Sequence, residues 1–119
     1  MIYLDNAATT QTSFEVMRIL SGYVSESYAN PGSIHQMGRD AEAAVTKARR
    51  TLAKTINADV GQIIFTSCAT EANNMVLLGL EKHLKKQKKK LIIVSSVEHP
   101  SVMNPAKELE RRGFEVTYL

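Results

Sequence analysis

The sequence predicts an α/β fold, and three observations carry that prediction. The continuous apolar run Leu91-Ile92-Ile93-Val94 has the composition of a strand covered on both faces of a parallel sheet. Two further β-branched or aromatic runs, at 63–65 and 114–119, stand before and after it in the chain. Amphipathic stretches separate the three, so the order from residue 62 onward reads strand, helix, strand, helix, strand, the alternation of an α/β domain.

The elements follow in order. A short extended piece, Ile2-Tyr3-Leu4, ends in Asp5-Asn6 and a small polar run. Thr12 followed three residues later by Glu15 has the form of a capping box. Behind it Val16, Met17, Leu20, Tyr23 and Val24 recur at helical spacing, predicting a first helix over about 13–28. Asn30-Pro31-Gly32-Ser33 forces a turn. A second helix then places Ala41, Val45, Ala48, Leu52 and Ile56 on one face, with a loop at 57–61 behind it. The third helix opens near Ala69 and directs Val76, Leu77, Leu80 and Leu84 inward. Pro105, with Asn104 as its cap, is expected to open the fourth helix, because a proline at the first helical position forfeits no hydrogen bond. Gly113 stops that helix.

Composition narrows the function classes. The chain has 119 residues, enough for a small single domain with a core. A single cysteine excludes an intramolecular disulfide. No apolar stretch approaches the roughly 18 residues of a membrane span, and MIYLDNAATT lacks the basic and apolar regions of a signal peptide. A cytoplasmic location is the expectation. Much of the net charge of +3 comes from one run at 82–90, KHLKKQKKK. A nucleic-acid patch could be built on it, but it closes a predicted helix, where cations complement the dipole, and it holds no aromatic residue for base stacking. A solvated helix end is the expected reading. The chain ends at Leu119 within a predicted strand, which suggests a piece of a larger domain.

The stretch IIFTSCATEANN at 63–74 is the chemically informative one. A strand breaks into small hydroxylated residues and enters a helix, whose first N–H groups have no intrahelical partner and whose dipole is positive. Such a junction can hold a phosphate, with Thr70 adding a hydroxyl and Ala69 small enough for close approach; it can equally be a capped turn. In α/β sheets ligands sit beyond the carboxyl ends of strands. Both 68–70 and Glu98-His99 lie at such ends, which favours the anion site.

These motifs resemble one family. YLDNAATT at 3–10, NPGSIHQMGRDA at 30–41, FTSCATEANN at 65–74, EHPSV at 98–102 and RRGFEVTYL at 111–119 together resemble the N-terminal third of a cysteine desulfurase. That is a fold-type I pyridoxal-phosphate enzyme of the class V aminotransferase group. The resemblance implies an N-terminal arm at 1–12 and, over 13–119, the first part of the pyridoxal-phosphate-binding large domain, an incomplete mostly parallel sheet with flanking helices. It implies that Ala69 and Thr70 hold the phosphate of pyridoxal 5'-phosphate, and that His99 stacks on the ring and acts in proton transfer. No metal site is expected. Segments 6–9 and 30–35 would lie near the active-site mouth and subunit interface; His35 is either a substrate contact or a loop hydrogen-bonder. His83 is expected to face solvent.

The same resemblance implies a reaction in which L-cysteine yields alanine and a protein persulfide for iron–sulfur cluster or thio-cofactor biosynthesis. A sulfur-acceptor protein, such as an iron–sulfur scaffold, and a homodimeric full-length form go with it. The Schiff-base lysine, the acid on the pyridine nitrogen and the nucleophilic cysteine would fall after residue 119, so the chain alone is expected to be inactive, poorly stable and unable to hold the cofactor covalently. The alternative is a non-enzymatic remnant or decoy able to pair with a full-length protomer. Cys68 stands where the family usually has glycine, and a thiol at a helix N-terminus is expected to be reactive. Glu71 must turn its charge away from a bound anion.

Overall fold

A computed structural model describes residues 2–119, so Met1 of the expected arm lies outside the described residues. The elements are α1 (Phe14–Ser25), α2 (Gln36–Thr55), a single 3₁₀ turn (Val60–Gln62), α3 (Ala69–Gly79), α4 (Glu81–Lys86), β1 (Leu91–Val94), α5 (Pro100–Arg111) and β2 (Glu115–Tyr118). They fall into two compact units, the first running through Ile63 and the second from Ile64 to Leu119.

In the first unit, α1 is capped by Ser13, whose hydroxyl accepts from the Val16 amide. The cap is therefore one residue later than the expected Thr12 box, and Ser is the stronger capping residue of the two. The helix stops at Ser25 rather than reaching 28. The turn at 30–33 forms as expected: Asn30 accepts from the Gly32 amide through Oδ1 and from the Ser33 amide through its carbonyl. Next comes α2, capped by His35 and packed against the 3₁₀ turn. Its apolar face is more open than the spacing implied, with Val45, Leu52 and Ile56 exposed and burial concentrated at Gly38 and Ala53.

The second unit holds the sheet. β1 and β2 pair in parallel, Leu91 opposite Glu115 through Val94 opposite Tyr118, with α5 as the crossover. Two corrections concern this sheet. Residues 63–66 join no ladder among the described residues, because an extended segment is a strand only when a neighbour takes its N–H and C=O groups. β1 is also not covered on both faces: burial alternates along it, with Leu91 and Ile93 more than half exposed and Ile92 and Val94 partly covered.

Helix α5 supplies the core of this unit, with Pro105, Ala106 and Leu109 buried together with Phe114. Its start corrects a second expectation. His99 is the cap and Pro100 the first helical residue, so Pro105 lies inside the helix and costs it one backbone hydrogen bond, while its ring joins the buried face. The expected third helix breaks at Leu80, directly after Gly79, a residue that weakens helix interiors. Of the four residues expected inward, Leu77 and Leu84 are half-buried, while Val76 and Leu80 are exposed. Behind the break Glu81 binds Lys85 at 2.7 Å and Arg112 at 2.6 Å, tying α4 to the end of α5. Lys85 and then Arg112 hold the Glu81 carboxyl below its ordinary range.

Three helices close with the same pair of bonds. After α2, Ala58 and Asn57 donate to Ala53 and Lys54; after α4, Lys89 and Lys88 donate to Leu84 and Lys85; after α5, Phe114 and Gly113 donate to Leu109 and Glu110. Each turn needs a left-handed residue, filled by Asn57 (φ 54°), Lys88 (φ 57°) and Gly113 (φ 90°). Lysine is the least suited of the three. Lys88→Gly is expected to raise stability by about 0.5 kcal/mol, the left-handed penalty less the entropy glycine adds to the unfolded chain, as read from urea midpoints. Gly38→Ala should do the reverse. A methyl group there would collide with the Ser33 carbonyl and Cβ, and a loss of about 1–3 kcal/mol is expected in the same measurement.

Candidate functional site

Chain order places Thr70 in the first turn of α3 and His99 at the cap of α5, and the packing of α3 on α5 brings them together. Both line one cleft of about 300 Å³, with Asn74, Pro100, Ser101, Asn104 and Pro105. Ala69 is the first residue of α3 and contributes its amide to the same helix end; its methyl group does not line the cleft. The amides of Ala69, Thr70 and Glu71 precede the first backbone bond of the helix, made by Ala72 to the Cys68 carbonyl.

The acidic side chain at this turn is engaged away from the cleft. Glu71 bends back so that its Oε2 accepts from the Ser67 amide at 2.7 Å and from the Ser67 hydroxyl at 2.6 Å. Those bonds, the hydroxyl's first, hold its carboxyl below the usual range, and no carboxylate lines the cleft. Cys68 has φ −165° and ψ 170°, an extended conformation open to any residue, so the position does not demand glycine. The neutral thiol makes no capping bond. Its thiolate is favoured chiefly by the Glu71 amide, and the pKa is lowered despite the Glu71 charge.

His99 is held by its own helix. Nδ1 accepts from the Ser101 amide at 3.1 Å and lies 2.9 Å from the Ser101 hydroxyl, which in turn is 2.9 Å from Asn73 Nδ2. Asn74 donates to the Thr70 carbonyl at 2.8 Å. His35 makes a similar cap in the first unit, accepting from the Gly38 amide at 3.3 Å, and so has a structural task. His83 is exposed on α4 beside Gln87. Sequence reasoning missed Asn73, Asn74, Ser101 and Asn104. A trace was available in Asn73-Asn74, two poor helix formers side by side in a helix interior. A larger cleft of about 430 Å³ runs along another flank of α5, lined by Ser96, Met103, Lys107, Glu110, Arg111 and Tyr118, and holds none of the expected site residues. Burial there, and then Glu110, push the Tyr118 phenol up.

An α/β unit with a cleft at a helix N-terminus and an imidazole facing it defines the class of site. The family profile described as aminotransferase class-V matches residues 2–119, and the chain belongs to that family. It is 46% identical over 118 residues to the cysteine desulfurase IscS of Dictyoglomus turgidum, an alignment covering 99% of this chain and 30% of that relative. The cysteine desulfurase IscS of Neisseria meningitidis is also 46% identical, over 119 residues and 29% of its length. Among solved structures, a NifS-like protein superposes with TM-score 0.86 at 37% identity, covering 96% of this chain and 31% of that one. DndA from Streptomyces lividans gives 0.82 at 42%, covering 99% and 33%. The chain thus spans about a third or less of each of these proteins.

The lowered thiol pKa carries a prediction. Cys68 is exposed, so alkylation by iodoacetamide should outpace that of free cysteine at neutral pH and persist as the pH falls below the ordinary thiol range. A rate and pH profile matching free cysteine would remove the assignment of a stabilised thiolate.

Proposed function

We propose that this chain forms part of a pyridoxal 5'-phosphate-dependent cysteine desulfurase, in which Ala69 and Thr70 cradle the cofactor phosphate and His99 stacks on its ring. The observation that carries the reading is the single cleft shared by Thr70 and His99, which come from different helices. The donor set suits a phosphate: free first-turn amides, a hydroxyl, and a carboxylate already bound elsewhere.

When bound, the cofactor supplies an electron sink for charge developing on an amino-acid substrate. This chain's residues do the rest of what is assigned here. The first-turn amides of α3 and the Thr70 hydroxyl bind and orient the phosphate. His99, hydrogen-bonded through Nδ1, would cover the ring and is placed to hold or move a proton at Nε2. The cleft is lined by Thr70, Asn74, His99, Pro100, Ser101, Asn104 and Pro105, and the reading assigns this chain non-covalent contacts to the cofactor. In the whole protein, the substrate is L-cysteine, the products are alanine and a protein persulfide, and the acceptor is a protein such as an iron–sulfur scaffold. The whole protein works as a cytoplasmic homodimer.

The test uses pyridoxine 5'-phosphate, which has the ring and phosphate but no aldehyde to react with surface lysines. Titrated into the chain, it should bind, and Thr70→Ala should weaken it about tenfold, the worth of a hydrogen bond to a charged group. His99→Ala should cost about three- to tenfold, the stacking contribution. Equal binding of unphosphorylated pyridoxine would sink the cradle.

A further inference from the structure

Asn73 and Ser101 have no role in the reading above, yet they join its two halves. Ser101 is 8% exposed, a buried polar residue, and sits between Asn73 on α3 and His99 at the head of α5. The position of the Ser101 amide hydrogen is fixed by the backbone, so at 3.1 Å it favours a lone pair on His99 Nδ1 without by itself excluding the other tautomer. The Ser101 hydroxyl hydrogen is free to rotate. Asn73 Nδ2 donates to that oxygen at 2.9 Å, which leaves the hydroxyl hydrogen to point at Nδ1, also 2.9 Å away. A neutral imidazole that accepts at Nδ1 carries its proton on Nε2. Among the described residues, Nε2 has no hydrogen-bond partner, and the ring lines the cleft.

We propose that Asn73 and Ser101 are positioning residues that hold neutral His99 as its Nε2–H tautomer, so that the ring presents a hydrogen-bond donor to the cleft. The tautomer stands on the geometry of this chain alone. What the donor meets rests on the cofactor reading: an oxygen acceptor on the bound ring or on an amino-acid carboxylate. The bond from Asn73 also makes the ring's setting depend on α3, the helix whose first turn carries Thr70. A shift of that helix would move the anion cradle and release the imidazole together.

The test is side-chain ¹⁵N NMR of the intact chain at a pH where histidines are neutral, with His99 assigned by the signals lost in His99→Gln. The expected wild-type spectrum shows Nδ1 as an acceptor and Nε2 protonated. Asn73→Asp offers a carboxylate that takes the hydroxyl hydrogen, and Ser101→Ala removes it. Either should shift the tautomer ratio about threefold toward Nδ1–H, the worth of one lost hydrogen bond, and Ser101→Thr should restore it. An Nδ1–H or evenly mixed wild type would overturn the proposal, as would an unchanged ratio in both variants. Should a variant fail to fold by circular dichroism, the wild-type spectrum decides. Pyridoxine 5'-phosphate affinity is read separately: its absence in wild type counts against the cofactor reading and leaves the tautomer result standing. Wild-type affinity in both folded variants would show that the tautomer does not serve the ligand and would overturn the positioning role.

Discussion

The hydrogen bond from Asn73 to Ser101 ties α3 to α5 at one named pair of atoms, and the candidate site lies beside that tie. Apolar contact supplies most of the adhesion: fully burying a leucine such as Leu109 contributes about 1.5–3 kcal/mol, against about 1 kcal/mol for a neutral hydrogen bond. Apolar contact is nevertheless non-directional, and a helix can roll on a leucine with little penalty. A buried bond between two named polar atoms cannot be kept through such a roll. Packing therefore holds the helices together, and the directional bond of Asn73 with Ser101 favours the one register in which Thr70 and His99 open on the same cleft.

The legibility of the fold divides along hydrogen-bond range. Helices close their own bonds within four residues, so α1, α2 and α5 could be located from spacing and stop residues alone, and Gly113 ends α5 at its left-handed turn as expected. Strands need a partner elsewhere in the chain. Leu91–Val94 has one in β2 and forms; the equally β-branched segment at 63–66 has none among the described residues and does not. The apolar faces of Leu91 and Ile93 give the same lesson, because a run of letters records what a strand suits, and its covering is decided by the rest of the sheet. Boundaries erred where two local signals competed, Thr12 against Ser13 and Asn104-Pro105 against His99-Pro100.

For the site, residue types were readable and their engagements were not. A hydroxyl after a strand, followed by an acid at the third helical position, announces a helix end, and Thr70 and Glu71 sit there. Nothing in the letters tells that Ser67 rather than a cap residue takes the Glu71 carboxylate, or which ring nitrogen His35 and His99 spend on helix capping. The glycine that the family places at position 68 invited an argument from backbone freedom. At φ −165° that freedom is unused, and the side chain there faces no conformational penalty.

Two acidic groups share the N-terminal turn of α3, and their hydrogen bonds show how both are accommodated. The Glu71 carboxyl is depressed by Ser67, so its contribution to the turn is present above the ordinary carboxylate pKa and is lost as the pH falls through the lowered value. At neutral pH the charge is in place, consuming the amide and hydroxyl of Ser67 and leaving the amides of residues 69–71 at the helix end. The Cys68 thiolate draws on the last two of those amides, which outweigh repulsion from Glu71 because they act at hydrogen-bond range. A thiolate and an external anion at this turn therefore call on the same few hydrogens. With Glu71 satisfied by Ser67, the sulfur of Cys68 is the remaining side chain at this turn that draws on those hydrogens.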